Sequence, residues 1–256
     1  MKALNKNTLY TLLNERFKED DFTRLADLPD PFLLIDMEKS VKRIAEAMKK
    51  KEKITLIGDY DVDGVTSSVV INDFFDEIGY PLTTIIPNRF KDGYGISPKI
   101  MDRVDTNLII TVDNGISGHA AADICKERNI DLIITDHHTC GATLPDANSI
   151  INPKRSDCSF PFKEICGAVV AWYLIAGIKK ELTLDVDLKS YFDLLALATI
   201  ADAMPLVSLN RVIVKYGLKV MSSTKRVSLE VFRERLNKEI INSEDVGFMI
   251  APKLNA

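Results

Sequence analysis

Three short apolar runs, each closed by an acidic or imidazole-bearing turn, constrain this 256-residue chain more than any other feature. The first, Lys53-Ile54-Thr55-Leu56-Ile57, gives way to Gly58-Asp59-Tyr60-Asp61-Val62-Asp63-Gly64 and then to a helical pattern from Val65 to Ile78. The second, Leu108-Ile109-Ile110-Thr111-Val112, ends in Asp113-Asn114-Gly115 before a helix from Ser117 to Arg128. The third, Leu132-Ile133-Ile134-Thr135, ends in Asp136-His137-His138. Short β-branched runs bounded by Gly, Asp and Asn read as buried strands. Strand, turn and helix recurring in series imply right-handed βαβ crossovers and a parallel sheet with helices on both faces. Ligands of such sheets bind beyond the carboxyl ends of the strands. Asp59, Asp61, Asp63, Asp113, Asp136, His137 and His138 all fall there.

Charge makes that placement demanding. In an extended backbone Asp59, Asp61 and Asp63 would share one face about 7 Å apart. At an effective dielectric of about 20, each neighbouring pair then repels by about 2 kcal/mol, against a domain stability of about 5–15 kcal/mol. A bound cation would offset this; the simpler alternative is a solvated acidic turn with Asp63 beside a helix N-terminus. The chain has three histidines, and two are adjacent at one strand end. Consecutive side chains of an extended segment diverge, so one is expected to bind a metal and the other to face substrate or solvent. His119, in an alanine-rich helix, reads as a packed or surface residue. A fourth acidic group comes from far along the chain, where the apolar helix Leu194–Ala201 delivers Asp202 just before Met204-Pro205. An anion at that end of a helix meets the unfavourable pole of its dipole, and a cation would again relieve it.

The remaining sequence sets the frame. Residues 1 to 50 read as a helical preface packed on the domain, with Leu9, Leu12, Leu13 and Phe17 at helical spacing, a break at Pro29 and Pro31, and Asp36 capping a helix through Met48. The lysine run 49–51 reads as a solvated helix end. Thr83 to Ile86 reads as a strand leading to a loop with Arg89, Phe90 and Tyr94. After Pro161 the chain turns all-helical: 168–177, 188–201, 211–221, 229–236 and 245–250. The domain expectation is thus a preface over 1–50 and one α/β domain over 51–256. A net charge of −4 gives no global attraction to nucleic acid, so any such contact depends on a local groove and bound metal. Cys125, Cys140, Cys158 and Cys166 have no Cys-x-x-Cys spacing, the pattern of reduced cytoplasmic thiols. No run has membrane-spanning length. These features point to a cytoplasmic protein without membrane association, expected as a monomer.

The ordered set Asp-Tyr-Asp-Val-Asp-Gly, Val-Asp-Asn-Gly, Asp-His-His, Gly167-Ala168-Val169 and Ala201-Asp202 resembles the DHH phosphoesterase superfamily. Pro87-Asn88-Arg89 leading to Gly93-Tyr94-Gly95, Asn152-Pro153-Lys154 and the closing Ala251-Pro252-Lys253-Leu254-Asn255-Ala256 look like the RecJ single-strand DNA exonucleases. The resemblance runs from Asp30 to the last residue and implies 5′→3′ hydrolysis of single-stranded DNA in repair and recombination. It implies that Asp61, Asp63, Asp113, His137 and Asp202 bind one or two Mn²⁺ ions, with Mg²⁺ as the other candidate, Asp113 as bridge and Asp59 as a nearby or alternative ligand. Asp113, His137, His138 and Asp136 form the expected catalytic set, with Asp136 orienting the site and His138 meeting the scissile phosphate. Two such ions would activate water, clamp the phosphate and stabilise the leaving 3′-oxygen. Oxygen ligands with one imidazole suit Mn²⁺ or Mg²⁺ better than zinc.

Arg89 matches a position the family associates with the 5′-phosphate, which a guanidinium grips bidentately. Tyr94 or Phe90 is placed to stack on a base, and Lys154 with Arg155 to touch the backbone of the nucleic acid. A repair helicase or a single-strand binding protein is the expected protein partner. RecJ-like enzymes carry a second, DHH-associated domain after this region, so the resemblance implies a truncated chain of weak or no activity. The open alternatives are a DHH enzyme of short oligoribonucleotides or cyclic dinucleotides, a non-catalytic repair or replication module, and a 2-His-1-carboxylate iron oxygenase.

Overall fold

The apolar runs do form the strands of a parallel sheet. A computed structural model describes residues 5–18 and 22–255; residues 1–4, 19–21 and Ala256, which closes the Ala-Pro-Lys-Leu-Asn-Ala segment, lie outside them. The strands are β1 (Ile54–Ile57), β2 (Thr83–Ile85), β3 (Leu108–Val112), β4 (Asp131–Thr135) and β5 (Ser149–Ile151), in the order β2-β1-β3-β4-β5, every pair parallel. In β1 and β3 every residue is buried, which is why they read as unbroken apolar runs rather than alternating ones.

Helices cover both faces. On one side α2 (Met37–Lys50), α3 (Val62–Glu77), α6 (Gly167–Glu181) and α7 (Phe192–Ala201) pack with Ile54, Leu56, Leu108, Ile110 and Ile133. On the other, α4 (Pro98–Met101) and α5 (His119–Glu127) pack with Ile57, Ile109, Leu132, Ile134 and Ile150. Successive strand residues thus feed opposite cores, as the pleat requires. Each fully buried side chain such as Phe74, Phe75 or Ile71 contributes about 1.5–3 kcal/mol.

The expected boundary at residue 50 does not interrupt the packing. Met37, Val41, Ile44 and Ala47 of α2 recur at helical spacing and are buried in the main core. The first helix, α1 (Lys6–Arg16), behaves differently: it has no buried residue, and Leu9, Leu12 and Leu13 are exposed, contrary to a preface packed along its apolar stripe. Asp36 stands at the N-cap position of α2, but its carboxylate accepts from Ile150 N–H at 3.0 Å and Arg155 Nη1 at 2.8 Å instead of from the helix. Arg155 is therefore engaged in structure rather than in the basic pair expected with Lys154.

The C-terminal portion is helical as expected: α8 (Ser208–Ser223), α9 (Val227–Leu236), a π-helical turn over Asp245–Ile250 and α10 (Ala251–Leu254). Val246 and Ile250 close a small core with Val62 and Leu197. Arg226 ties this region to the rest through Asp73 of α3 at 2.6 Å and the fully buried Asp193 of α7 at 3.3 Å. Among the described residues, no helix is long and apolar enough to cross a membrane.

Candidate metal centre

All the acidic and imidazole side chains singled out at strand ends gather at the carboxyl rim of the sheet, but not on the simple extended face that alternation implies. The backbone leaves β1 and enters α3 at Val62, so Asp61 is the N-cap, its Oδ1 accepting from Gly64 N–H at 2.9 Å. Asp63 lies in the first helical turn. The helix, starting three residues earlier than its apolar pattern suggests, separates the two. Asp61 joins Asp59 and Asp113; Asp63 joins His137 and Asp202. A third group contains Asp113, His137 and His138, and within each group the ligand atoms lie within 4.8 Å of one another. The groups interlock because Asp113 and His137 each belong to two of them.

His137 is the hub. Its Nε2 stands 3.1 Å from Asp113 Oδ1, 3.5 Å from Asp63 Oδ2 and 3.6 Å from Asp202 Oδ2. These are ion-pair distances, yet burial lowers the His137 pKa and raises that of Asp63. Burial thus works against charge on both partners of the His137–Asp63 contact. Burial also raises Asp59 to about 6 and Asp202 to about 7, the latter helped by the charges of Asp63 and Asp61. Asp113 is pushed well above the carboxylate range by burial and then by Asp63, Asp61, Asp136 and Asp202. Asp59 Oδ1, Asp113 Oδ1, Asp202 Oδ2 and His137 Nδ1 are buried without a hydrogen-bond partner among the described residues. Each such atom costs about 1–3 kcal/mol unless something satisfies it. Converging oxygens that repel one another, with one or two imidazoles, fit a hard or borderline divalent cation.

Asp136 does a different job. Its Oδ1 accepts from His137 N–H at 2.7 Å, His138 N–H at 3.0 Å and His138 Nδ1 at 2.7 Å, and its Oδ2 from Ile116 N–H at 2.9 Å. Burial works to raise its pKa, but these donors, the His138 ring first, hold it below the usual value. In return the His138 pKa is raised. The two histidines do not diverge as extended neighbours would: the chain has left β4, and their ring centroids are 4.5 Å apart, His137 buried and His138 46% exposed at the rim.

Around this centre, Tyr94 Oη donates to the Asp113 carbonyl at 3.2 Å and lies 3.4 Å from His138 Nδ1. Its ring stands edge-on to Tyr60, and the Arg89 guanidinium lies 4.4 Å over Tyr60. Lys154 pairs with Glu164 at 3.3 Å. His119 is exposed on α5, away from these groups.

Several positioning elements carry no local sequence signal. Asp63 accepts from the backbone N–H groups of Gly167 and Ala168 at 2.6 and 2.8 Å, docking on the N-terminus of α6 from 104 and 105 residues away. Gly167 is required by close approach, since a Cβ there would lie 2.6 Å from Asp113 Oδ1. Buried Asn114 donates to the carbonyls of Ile57 and Val112 and accepts from Ile96 N–H, tying the ends of β1 and β3. Its place in Asp-Asn-Gly suggests only a turn. Asp113 adopts φ +61°, a left-handed conformation that aspartate tolerates better than most residues.

A parallel sheet with an acidic, histidine-centred rim of this kind defines a class, and the chain belongs to it: residues 53–199 match the DHH family, N-terminal domain. Within the family its similarity is to RecJ. The single-stranded-DNA-specific exonuclease RecJ of Bacillus subtilis (strain 168) is 40% identical over 239 residues, 91% of this chain and 30% of the relative. A crystal structure of exonuclease RecJ bound to manganese matches with a TM-score of 0.79 and 31% identity, over 89% of this chain and 57% of the other. RecJ from Thermus thermophilus in complex with Mg²⁺ matches with a TM-score of 0.68 and 28% identity, over 96% and 32%. The chain thus spans well under half the length of the B. subtilis relative.

Proposed function

We propose that this chain is the metal-binding, phosphodiester-cleaving part of a 5′→3′ exonuclease that acts on single-stranded DNA and releases 5′-mononucleotides during repair and recombination. The observation that carries the reading is the set of three ligand groups linked through Asp113 and His137, with buried oxygens unsatisfied among the described residues. Asp61, Asp63, Asp113, His137 and Asp202 would hold one or two divalent cations, Mn²⁺ or Mg²⁺, with Asp59 beside them. When bound, such cations activate a water molecule and draw off charge as the phosphorus–oxygen bond breaks.

The protein's own groups do the rest. His137 points its Nε2 at Asp113, Asp63 and Asp202, where it can serve as a ligand, and the exposed His138 ring, its pKa raised by Asp136, is the group to donate to a phosphate oxygen. Asp136 holds that ring in place, and Tyr94 props it while anchoring the Asp113 backbone. Arg89, stacked on Tyr60, is placed to grip a 5′-phosphate and so set polarity. With Tyr94 committed to these contacts, Phe90, 93% exposed, is the freer ring for a base. Lys154 adds positive potential near His137 and Asp202. This reading implies a monomeric cytoplasmic enzyme working beside a helicase or single-strand binding protein.

An end-label assay in Mn²⁺ tests it with DNA, RNA and dinucleotide substrates. A 5′-labelled single-stranded DNA is expected to release labelled mononucleotide first, and Asp113→Ala to abolish the release. Label appearing first from the 3′ end would overturn the polarity, and a preference for dinucleotides would overturn the substrate.

A further inference from the structure

We propose that Asn255, just after α10, is a positioning residue of the metal centre, an assignment that rests on the metal-binding reading above. Its side-chain Oδ1 accepts the backbone N–H of Val62 at 2.9 Å, across 193 residues of sequence. Val62 is the first residue of α3 and sits between Asp61 and Asp63. The first N–H groups of a helix have no acceptor within it. Asp61 Oδ1 is already used by Gly64 N–H, and Val62 is only 3% exposed, so neither the cap nor bulk water serves its N–H well. Asn255 fills that role with a neutral oxygen. A carboxylate would serve as acceptor equally well but would add one more negative charge beside the crowded rim.

The approach of Asn255 is built into the preceding segment. Pro252 lacks an N–H, and in a regular α-helix its ring would collide with the carbonyl of Phe248. The chain widens into a π turn over Asp245–Ile250 just before it. Val246 and Ile250 of that turn are buried with Val62 of α3 and Leu197 of α7. One short segment therefore rests on the start of the helix carrying Asp61 and Asp63 and on the helix that ends at Asp202. Losing the Asn255 contact frees the Asp61–Asp63 turn to shift relative to Asp202.

The test measures Mn²⁺ affinity by calorimetry and the electron paramagnetic resonance spectrum of the bound ion for wild type, Asn255→Ala and Asn255→Asp. The loss of one helix-cap contact predicts about tenfold weaker binding for the alanine variant, with a changed Mn²⁺ line shape. Asn255→Asp, which keeps the acceptor, is expected to bind as tightly as wild type or tighter. An alanine variant that binds like wild type, or an aspartate variant as weak as alanine, overturns the positioning role and leaves the metal centre standing. A wild-type chain that binds no Mn²⁺ overturns both.

Discussion

Asp202→Asn should move the metal-free and the metal-loaded protein in opposite directions. In the folded protein burial and the neighbouring Asp63 and Asp61 lift the Asp202 carboxyl from 3.8 to about 7. A raised pKa contributes stability that is complete below the unfolded value and is lost as pH rises through the folded one, so wild type without metal is progressively destabilised between pH 4 and 8. The full shift corresponds to about 4 kcal/mol. With 29% of the side chain exposed, screening reduces this to about 1–2 kcal/mol. For a chain of this size that is a gain in Tm of about 2–8 °C at pH 8 for the asparagine variant, nearly absent at pH 4. Mn²⁺ at a hundredfold excess over its Kd stabilises by about 2.7 kcal/mol, so wild type should gain about 5–11 °C on loading, and Asp202→Asn much less. Scanning calorimetry of chelator-treated protein at both pH values, with and without Mn²⁺, decides the matter. A variant that melts lower than wild type without metal at pH 8, or that keeps the whole Mn²⁺ increment, would refute the reasoning.

Two further outcomes test the surroundings of the centre. Asp136→Asn replaces one carboxylate oxygen by an amide that faces N–H donors at 2.7–3.0 Å; it should lower Tm by about 5–10 °C and bring the His138 pKa down toward 6.5, and an unshifted His138 resonance in an NMR titration would contradict the arrangement. Gly167→Ala puts a methyl group 2.6 Å from Asp113 Oδ1, so it should remove most of the Mn²⁺-induced rise in Tm; a full rise in the variant would show that Asp113 can move without consequence.

The strands that position the centre were legible because β1, β3 and β4 are buried on both faces and so appear as apolar runs with abrupt polar ends. β5 was not. It has three residues, begins with Ser149 and offers no period to detect. The gathering of Asp59, Asp61, Asp63, Asp113 and His137 followed from topology, since parallel strands deliver all their carboxyl ends to one rim; Asp202, at the C-cap of α7, has no strand to place it. Their grouping did not, because it depends on where the backbone changes from strand to helix. Alternation puts Asp61 and Asp63 on a common face, whereas the helix begun at Val62 sends one toward Asp59 and the other toward α6. Tyr94 reads as a stacking ring, and only its distance to Asp113 and His138 gives it a supporting role.

That division also explains why Asp202 is the informative carboxylate. Asp61 and Asp63 both meet helix N-termini, Asp61 that of α3 and Asp63 that of α6, where backbone N–H groups and the dipole favour an anion. Asp202 meets the opposite pole, at the C-cap of α7, and Oδ2 finds no donor among the described residues. Of the three, it has the least help from the backbone and therefore the most to gain from a cation. If a cation is what the rim was shaped around, the increment Mn²⁺ gives should fall further on removing Asp202 than on removing Asp61, whose charge the helix already accommodates.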